Sequence, residues 1–110
     1  MIQEEFVTLE TAKLLKEKGF NERKYLIDVS TLNHCYKYLS VPPQSVAQKW
    51  LRDTKCLHIE IGYMYGDYWL YDILTIPTHD LIGLSDRSIV CYNTYEEALE
   101  AGLQEALKLI

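Results

Sequence analysis

The sequence predicts an α+β fold in which three helices pack mainly on one face of an antiparallel sheet of about four strands. Amphipathic patterns of helical period occur near the start, the middle and the end of the chain, and strand-like alternation lies between them. Helices and strands do not alternate as they do in a parallel β-α-β array. The predicted order is α-β-β-α-β-β-(β-β)-α, and the length of 110 residues indicates one globular domain over 1–110.

The first and last helices have clear start signals. Thr8 is the expected N-cap of a helix that runs to about Lys18, after which Gly19 allows a left-handed end. Thr94 and Glu97 have the spacing of a capping box and predict that the last helix begins there. Its apolar residues recur at three- and four-residue steps, so we expect one face of this helix to pack on an apolar surface.

A second helix and a hairpin are expected in the middle of the chain. Pro42-Pro43 ends any strand and sets the backbone for a helix over about 43–54. The stretch 57–65 alternates in strand period, Gly66-Asp67 supplies a turn, and 68–76 returns as the partner strand. This is the strongest hairpin pattern in the sequence.

Weaker strand patterns lie on either side. The stretches 24–29 and 35–39 predict two short strands around a turn at 30–33. The stretches 81–84 and 88–92 predict a further hairpin.

Composition and charge favour a protein of the cytoplasm with no membrane attachment. Hydrophobic residues make up 48% of the chain and charged residues 25%, which is ordinary for a globular protein. No apolar run approaches the roughly 18 residues of a membrane span, and the acidic first residues are unlike a signal peptide. Three cysteines without a disulfide framework favour a reducing compartment.

The sequence contains no motif typical of catalysis, cofactor binding or metal binding. Cys56 and His58 would share one side of a strand, and His34-Cys35 are adjacent, but this spacing matches no zinc motif. Cys-His signatures, a Gly-x-Ser-x-Gly elbow and a glycine-rich phosphate loop are all lacking. We therefore expect no enzyme activity, catalytic residue, cofactor, metal or small-molecule ligand.

Aromatic residues concentrate around the turn of the central hairpin. The candidate interface residues are Tyr63, Tyr65, Tyr68, Trp69 and Tyr71. On paired strands they must divide between the two faces of the sheet, so helices on one face would leave part of them exposed. Exposed Tyr and Trp are enriched at interfaces with a partner protein or a second copy. The alternative is cross-strand aromatic pairing that only stabilises the sheet.

Basic residues suggest an alternative partner. Lys49, Arg52 and Lys55 recur every three residues along the second predicted helix. Lys13 and Lys16 have the same spacing along the first. These faces suit an accessory nucleic-acid role, although such spacing usually marks a solvated helix face. The net charge of −5 works against phosphate binding. Nucleic acid is therefore the less favoured partner.

The segments that predict the helices are also similar to segments of a known group of small proteins. Segments 43–52 (PQSVAQKWLR) and 92–107 (YNTYEEALEAGLQEAL) resemble small proteins carried by phages and prophage-like elements of gut anaerobes of the Bacteroides type. The opening stretch 6–20, which ends in Gly19-Phe20, is similar too. That group has no assigned activity, so the resemblance implies context only: a small mobile-element protein of the cytoplasm. Together with the missing motifs, it favours a non-enzymatic interaction or accessory module.

Overall fold

The computed structural model describes residues 4–31, 37–82 and 91–110. The three helices are α1 (Leu9–Glu17), α2 (Gln44–Lys55) and α3 (Tyr95–Leu109), and a short 3-10 helix spans Arg23–Tyr25. The strands are β1 (Leu26–Asp28), β2 (Tyr38–Ser40), β3 (Leu57–Met64) and β4 (Tyr68–Thr75). The α+β class is confirmed. The strands form two antiparallel pairs, β1-β2 and β3-β4, rather than the single sheet that we expected.

The caps of α1 and α3 follow the predicted signals. The hydroxyl of Thr8 accepts a hydrogen bond from the N–H of Thr11 at 3.2 Å, and that of Thr94 accepts from the N–H of Glu97 at 3.1 Å. The Glu97 carboxylate reaches back to the N–H of Asn93 at 3.4 Å, one residue before the position that a capping box implies. Local hydrogen bonding therefore sets where these helices begin.

The end of α2 corrects one expectation. Cys56 caps this helix in a left-handed conformation, with φ of 57°. Cys56 therefore lies outside β3, whose first residue is Leu57. The common orientation expected for Cys56 and His58 on one strand does not apply.

The β3–β4 hairpin is the largest sheet and has the predicted turn. Its register runs from Leu57 opposite Thr75 to Met64 opposite Tyr68. Because directly opposed residues share a face, Ile59, Ile61 and Tyr63 lie on the same side as Ile73, Tyr71 and Trp69. Helix α3 packs on both strands, whereas α2 contacts β3 and α3. Helix α1 packs against α3 and β2.

The outer edge of β4 is lined by a later part of the chain. Trp69 and Tyr92 exchange two backbone hydrogen bonds of 2.9 and 3.0 Å, and Leu74 bridges to Leu81. The predicted hairpin within 81–92 lies partly outside the described residues, and its described ends pair with β4. The turn predicted at 30–33 also lies partly outside them.

Buried residues from all three helices and from strands of both pairs form one hydrophobic cluster. Helix α3 approaches the sheet closely because residue 102 is glycine: a Cβ there would come within 2.7 Å of the Ile59 side chain. Among residues 4–31, 37–82 and 91–110, no helix has the length and apolar character to span a bilayer.

Candidate functional site

The turn end of the β3–β4 hairpin, here called the aromatic tip, consists of Tyr63, Tyr65, Tyr68 and Trp69. Helix α3 begins beside it, since the ring of Tyr95, the first residue of the helix, contacts Trp69. The hairpin beyond that contact is left uncovered by α3. Tyr63 is 57% exposed and Tyr65 is fully exposed, so the tip presents aromatic rings to solvent.

Three aromatic rings are in contact with one another at the tip. The ring centroids of Tyr63 and Trp69 lie 4.8 Å apart across the strands. The indole in turn meets Tyr95 edge-to-face, with centroids 5.6 Å apart. Such pairs add stabilisation beyond the apolar area that they bury. Cross-strand pairing and surface exposure therefore occur in the same residues.

A hydrogen bond further restrains Tyr63. Its hydroxyl donates to the carboxylate of Asp67, which sits in the turn with φ of 61°. This bond favours the protonated phenol and raises the pKa of Tyr63 above its ordinary value. The Tyr63 side chain is thus restrained by its contact with the Trp69 ring and by its hydrogen bond to the turn.

The other predicted interface residues divide as the alternation requires. Tyr71 shares the face of Tyr63 and Trp69 but is only 7% exposed, because it lies beneath Gly102 of α3. Tyr71 therefore contributes to the core rather than to the surface of the tip. Tyr68 lies opposite Met64 on the other face and is half-buried.

The outer edge of β3 beside the tip has unpaired backbone groups. At the base of the hairpin, the N–H of Ile76 donates a hydrogen bond to the C=O of Cys56. In this register, the backbone N–H and C=O groups of even-numbered β3 residues bond to β4, and those of odd-numbered residues point away from it. The outward C=O of Ile59 accepts a hydrogen bond of 2.7 Å from Nε2 of Gln48 in α2. The outward N–H and C=O groups of Ile61 and Tyr63 have no partner within the part of the chain that the structure describes. We call these two residues the free edge.

An apolar groove was not predicted. It has a volume of about 590 Å³ and lies between the start of the chain and β1. Its exposed apolar residues are Phe6, Leu26 and Ile27. All three residues of β1 are exposed, so the strand shows no alternation of burial that a sequence pattern would reveal. The adjacent Leu-Ile pair on an edge strand is the one signal that the sequence offers.

Glu100 of α3 is the most heavily hydrogen-bonded carboxylate described. Its Oε2 accepts from the N–H of Thr8 at 3.0 Å, from the hydroxyl of Thr8 at 2.9 Å and from the hydroxyl of Thr11. Its Oε1 accepts from Nε2 of Gln44 at 2.9 Å. A carboxylate at the N-terminus of α1 is also favoured by the helix dipole. Glu100 therefore ties α3 to the first turns of α1 and α2, which is a structural role.

Cysteine and histidine side chains do not assemble in the described ranges. No group of three or more His, Cys, Asp or Glu residues there is arranged to hold a metal ion. Cys56 and Cys91 are exposed free thiols. Nδ1 of His58 is buried without a hydrogen-bond partner in that part of the chain. His34 and Cys35 lie outside the described residues.

The basic residues of α2 are partly engaged within their own helix. Nζ of Lys49 lies 2.8 Å from a carboxylate oxygen of Asp53, and this hydrogen bond lowers the pKa of Asp53. Nζ of Lys55 lies 5.7 Å from the ring centroid of Trp50. These contacts compete with phosphate for both lysines.

Comparison of the chain with models of protein families, with curated proteins and with solved structures finds no match.

Proposed function

We propose that this chain is a non-enzymatic protein-interaction module and that the aromatic tip is its binding surface. The observation that carries this proposal is the exposure of Tyr63 and Tyr65 at the end of a hairpin whose inner ring, Trp69, is held by α3. Tyrosine offers a large contact area with few rotatable bonds, and ordering it before binding lowers the entropy cost of association.

The tip is a better candidate than the apolar groove. Tyr63 is restrained by the indole of Trp69 and by the Asp67 carboxylate, so its ring is positioned before a partner arrives. The tip also combines apolar rings with phenol hydroxyls and the unpaired backbone groups of the free edge, which gives a partner directional hydrogen bonds. The groove offers mainly apolar contact.

The proposal also includes where in the cell the protein acts. The resemblance to small proteins of phages and prophage-like elements implies an accessory protein that acts in the cytoplasm of a bacterial host. The partner is then another protein of the host or of the mobile element, or a second copy of this chain.

Nucleic acid is the alternative partner, through the basic faces of α1 and α2. It has weaker support, because Lys49 is paired with Asp53 and the chain as a whole carries a net charge of −5. A mobility shift at low salt, which weakens when Arg52 and Lys55 are replaced by glutamate, would favour this alternative.

The proposal is tested by affinity capture with matched baits. The wild-type chain, a Tyr63→Ser/Tyr65→Ser variant and a Tyr38→Ser variant are immobilised and exposed to lysate of the bacterium that carries the gene. Tyr38 is the control, because it is 50% exposed on β2, away from the tip. We expect a protein that the wild-type and Tyr38→Ser baits retain and the tip variant loses. Equal retention by all three baits would count against the tip.

A further inference from the structure

The free edge of β3 is complementary to itself in one register. When two copies lie antiparallel with Gly62 opposite Gly62, Ile61 of each copy lies opposite Tyr63 of the other. The outward N–H and C=O groups of these residues then exchange hydrogen bonds in two pairs, which is the normal antiparallel pattern. We propose that this chain forms a two-fold symmetric dimer through this edge, joining two β3–β4 hairpins into one four-stranded sheet.

Gly62 suits the position on the two-fold axis. Opposed residues of a non-hydrogen-bonded pair have Cα atoms only about 4.5 Å apart, so their side chains lie close together, and glycine places no side chain there that could clash. The monomer itself does not require glycine here: a Cβ at this position would meet only the Met64 sulfur, at 3.9 Å. Position 62 is therefore open on this face, and either glycine or alanine is compatible with the proposed register.

The side chains are compatible with the same register. Ile61 of one copy would cover the exposed ring of Tyr63 of the other, and aromatic with β-branched pairs stabilise paired strands. On the opposite face Glu60 would lie beside Met64, so no like charges oppose each other. The register also leaves undisturbed the C=O of Ile59, which already accepts from Gln48.

The residues along the free edge favour pairing with another strand, because they include few of the features that prevent such pairing. Proteins usually protect an exposed edge strand with a charged residue, a proline or a bulge. Of residues 60–64, which pair in the proposed register, only Glu60 is charged, and none is proline. The other edge of this sheet is already covered, since Tyr92 and Leu81 bridge to β4.

The dimer is tested by introducing a charge at the two-fold axis. Gly62→Lys and Gly62→Glu each place like charges opposite each other in the proposed register, and Gly62→Ala is the neutral control. In sedimentation equilibrium we expect wild type and Gly62→Ala to show a monomer–dimer equilibrium. The dimerisation affinity of each charged variant should be lower than that of wild type by about tenfold or more. An equimolar mixture of the two charged variants should recover the dimer.

A second pair of variants separates the contribution of the backbone N–H to dimerisation from that of the side chain. Tyr63→Pro removes the outward N–H while leaving the bonds to β4 in place, and Tyr63→Ala keeps that N–H. We expect the proline variant to dimerise more weakly than the alanine variant. Circular dichroism of both variants checks that the fold is retained.

This inference deepens the proposed function, since it names the partner at the same tip, and the two can fail separately. A wild-type chain that stays monomeric up to millimolar concentration would overturn the dimer. So would a dimer that Gly62→Lys leaves intact, or a mixture that recovers nothing. Selective loss of a captured protein from the Tyr63→Ser/Tyr65→Ser bait would still support the interaction module in any of these cases.

Discussion

The two ends of the β3–β4 hairpin are paired in the same way, but the base is buried and the tip is exposed to solvent. At the base, Ile59 is completely buried beneath α3, whereas at the tip Tyr63 is 57% exposed and Tyr65 is fully exposed. Both ends belong to one continuous antiparallel register. The difference therefore comes from what covers the strands: α3 and α2 contact the base, and α3 begins beside Trp69. The base is part of the buried core, and the aromatic rings of the tip are exposed.

The largest expected contrast is between buried and exposed side chains of this hairpin. Ile59→Ala should lower the free energy of unfolding by about 2–5 kcal/mol, because it leaves a cavity under α3. Tyr65→Ala should change it by no more than about 0.5 kcal/mol. Urea unfolding of both variants measures the contrast, and similar losses would refute the division into base and tip.

The attachment of α3 to the other helices should show the next largest effect. Glu100→Ala leaves donors from Thr8, Thr11 and Gln44 without their acceptor, so we expect a loss of about 1–3 kcal/mol. Glu105→Ala changes the charge of the same helix by the same amount and is the control. If both variants unfold at the same urea concentration, the Glu100 hydrogen bonds contribute nothing measurable.

Gly102 of α3, which faces the sheet, and Gly62 of β3, which lies within it, sharpen the comparison. Gly102→Ala puts a Cβ within 2.7 Å of Ile59 and 3.2 Å of Tyr71, so overpacking should exceed the gain in helix propensity and cost about 1–2 kcal/mol net. Gly62→Ala at the tip meets only an ordinary contact and should leave thermal stability within about 0.5 kcal/mol of wild type. A stabilised Gly102→Ala variant would contradict the close approach of α3.

The smallest effect concerns the hydrogen bond that restrains the tip. Asp67→Asn removes the carboxylate that raises the pKa of Tyr63, so the Tyr63 phenol should titrate at a lower pH in this variant than in wild type. Because the folded pKa is the raised one, the hydrogen bond is fully present below the ordinary tyrosine value and is lost as pH rises through the folded value. NMR titration of the Tyr63 ring measures this. An unchanged pKa would mean that the bond is not formed in solution.

Much of the candidate site could be predicted from the sequence. The turn at Gly66-Asp67 and the alternation on either side place Tyr63 and Trp69 on one face and Tyr68 on the other, as the register has them. The burial of Tyr71 was not predictable, because it depends on where α3 docks along the strands. The apolar groove was missed because β1 has no periodic pattern to detect.

The sequence by itself determined the local structure of this protein: the capped starts of α1 and α3, the proline before α2 and the central hairpin. These features depend on hydrogen bonds and turns between residues a few positions apart, which a sequence pattern records directly. Only the tertiary structure decided that the four strands form two separate pairs and that one end of the hairpin is covered while the other is open. Those outcomes depend on contacts between distant segments, such as that of Thr8 with Glu100, 92 residues along the chain, whose geometry no local pattern contains.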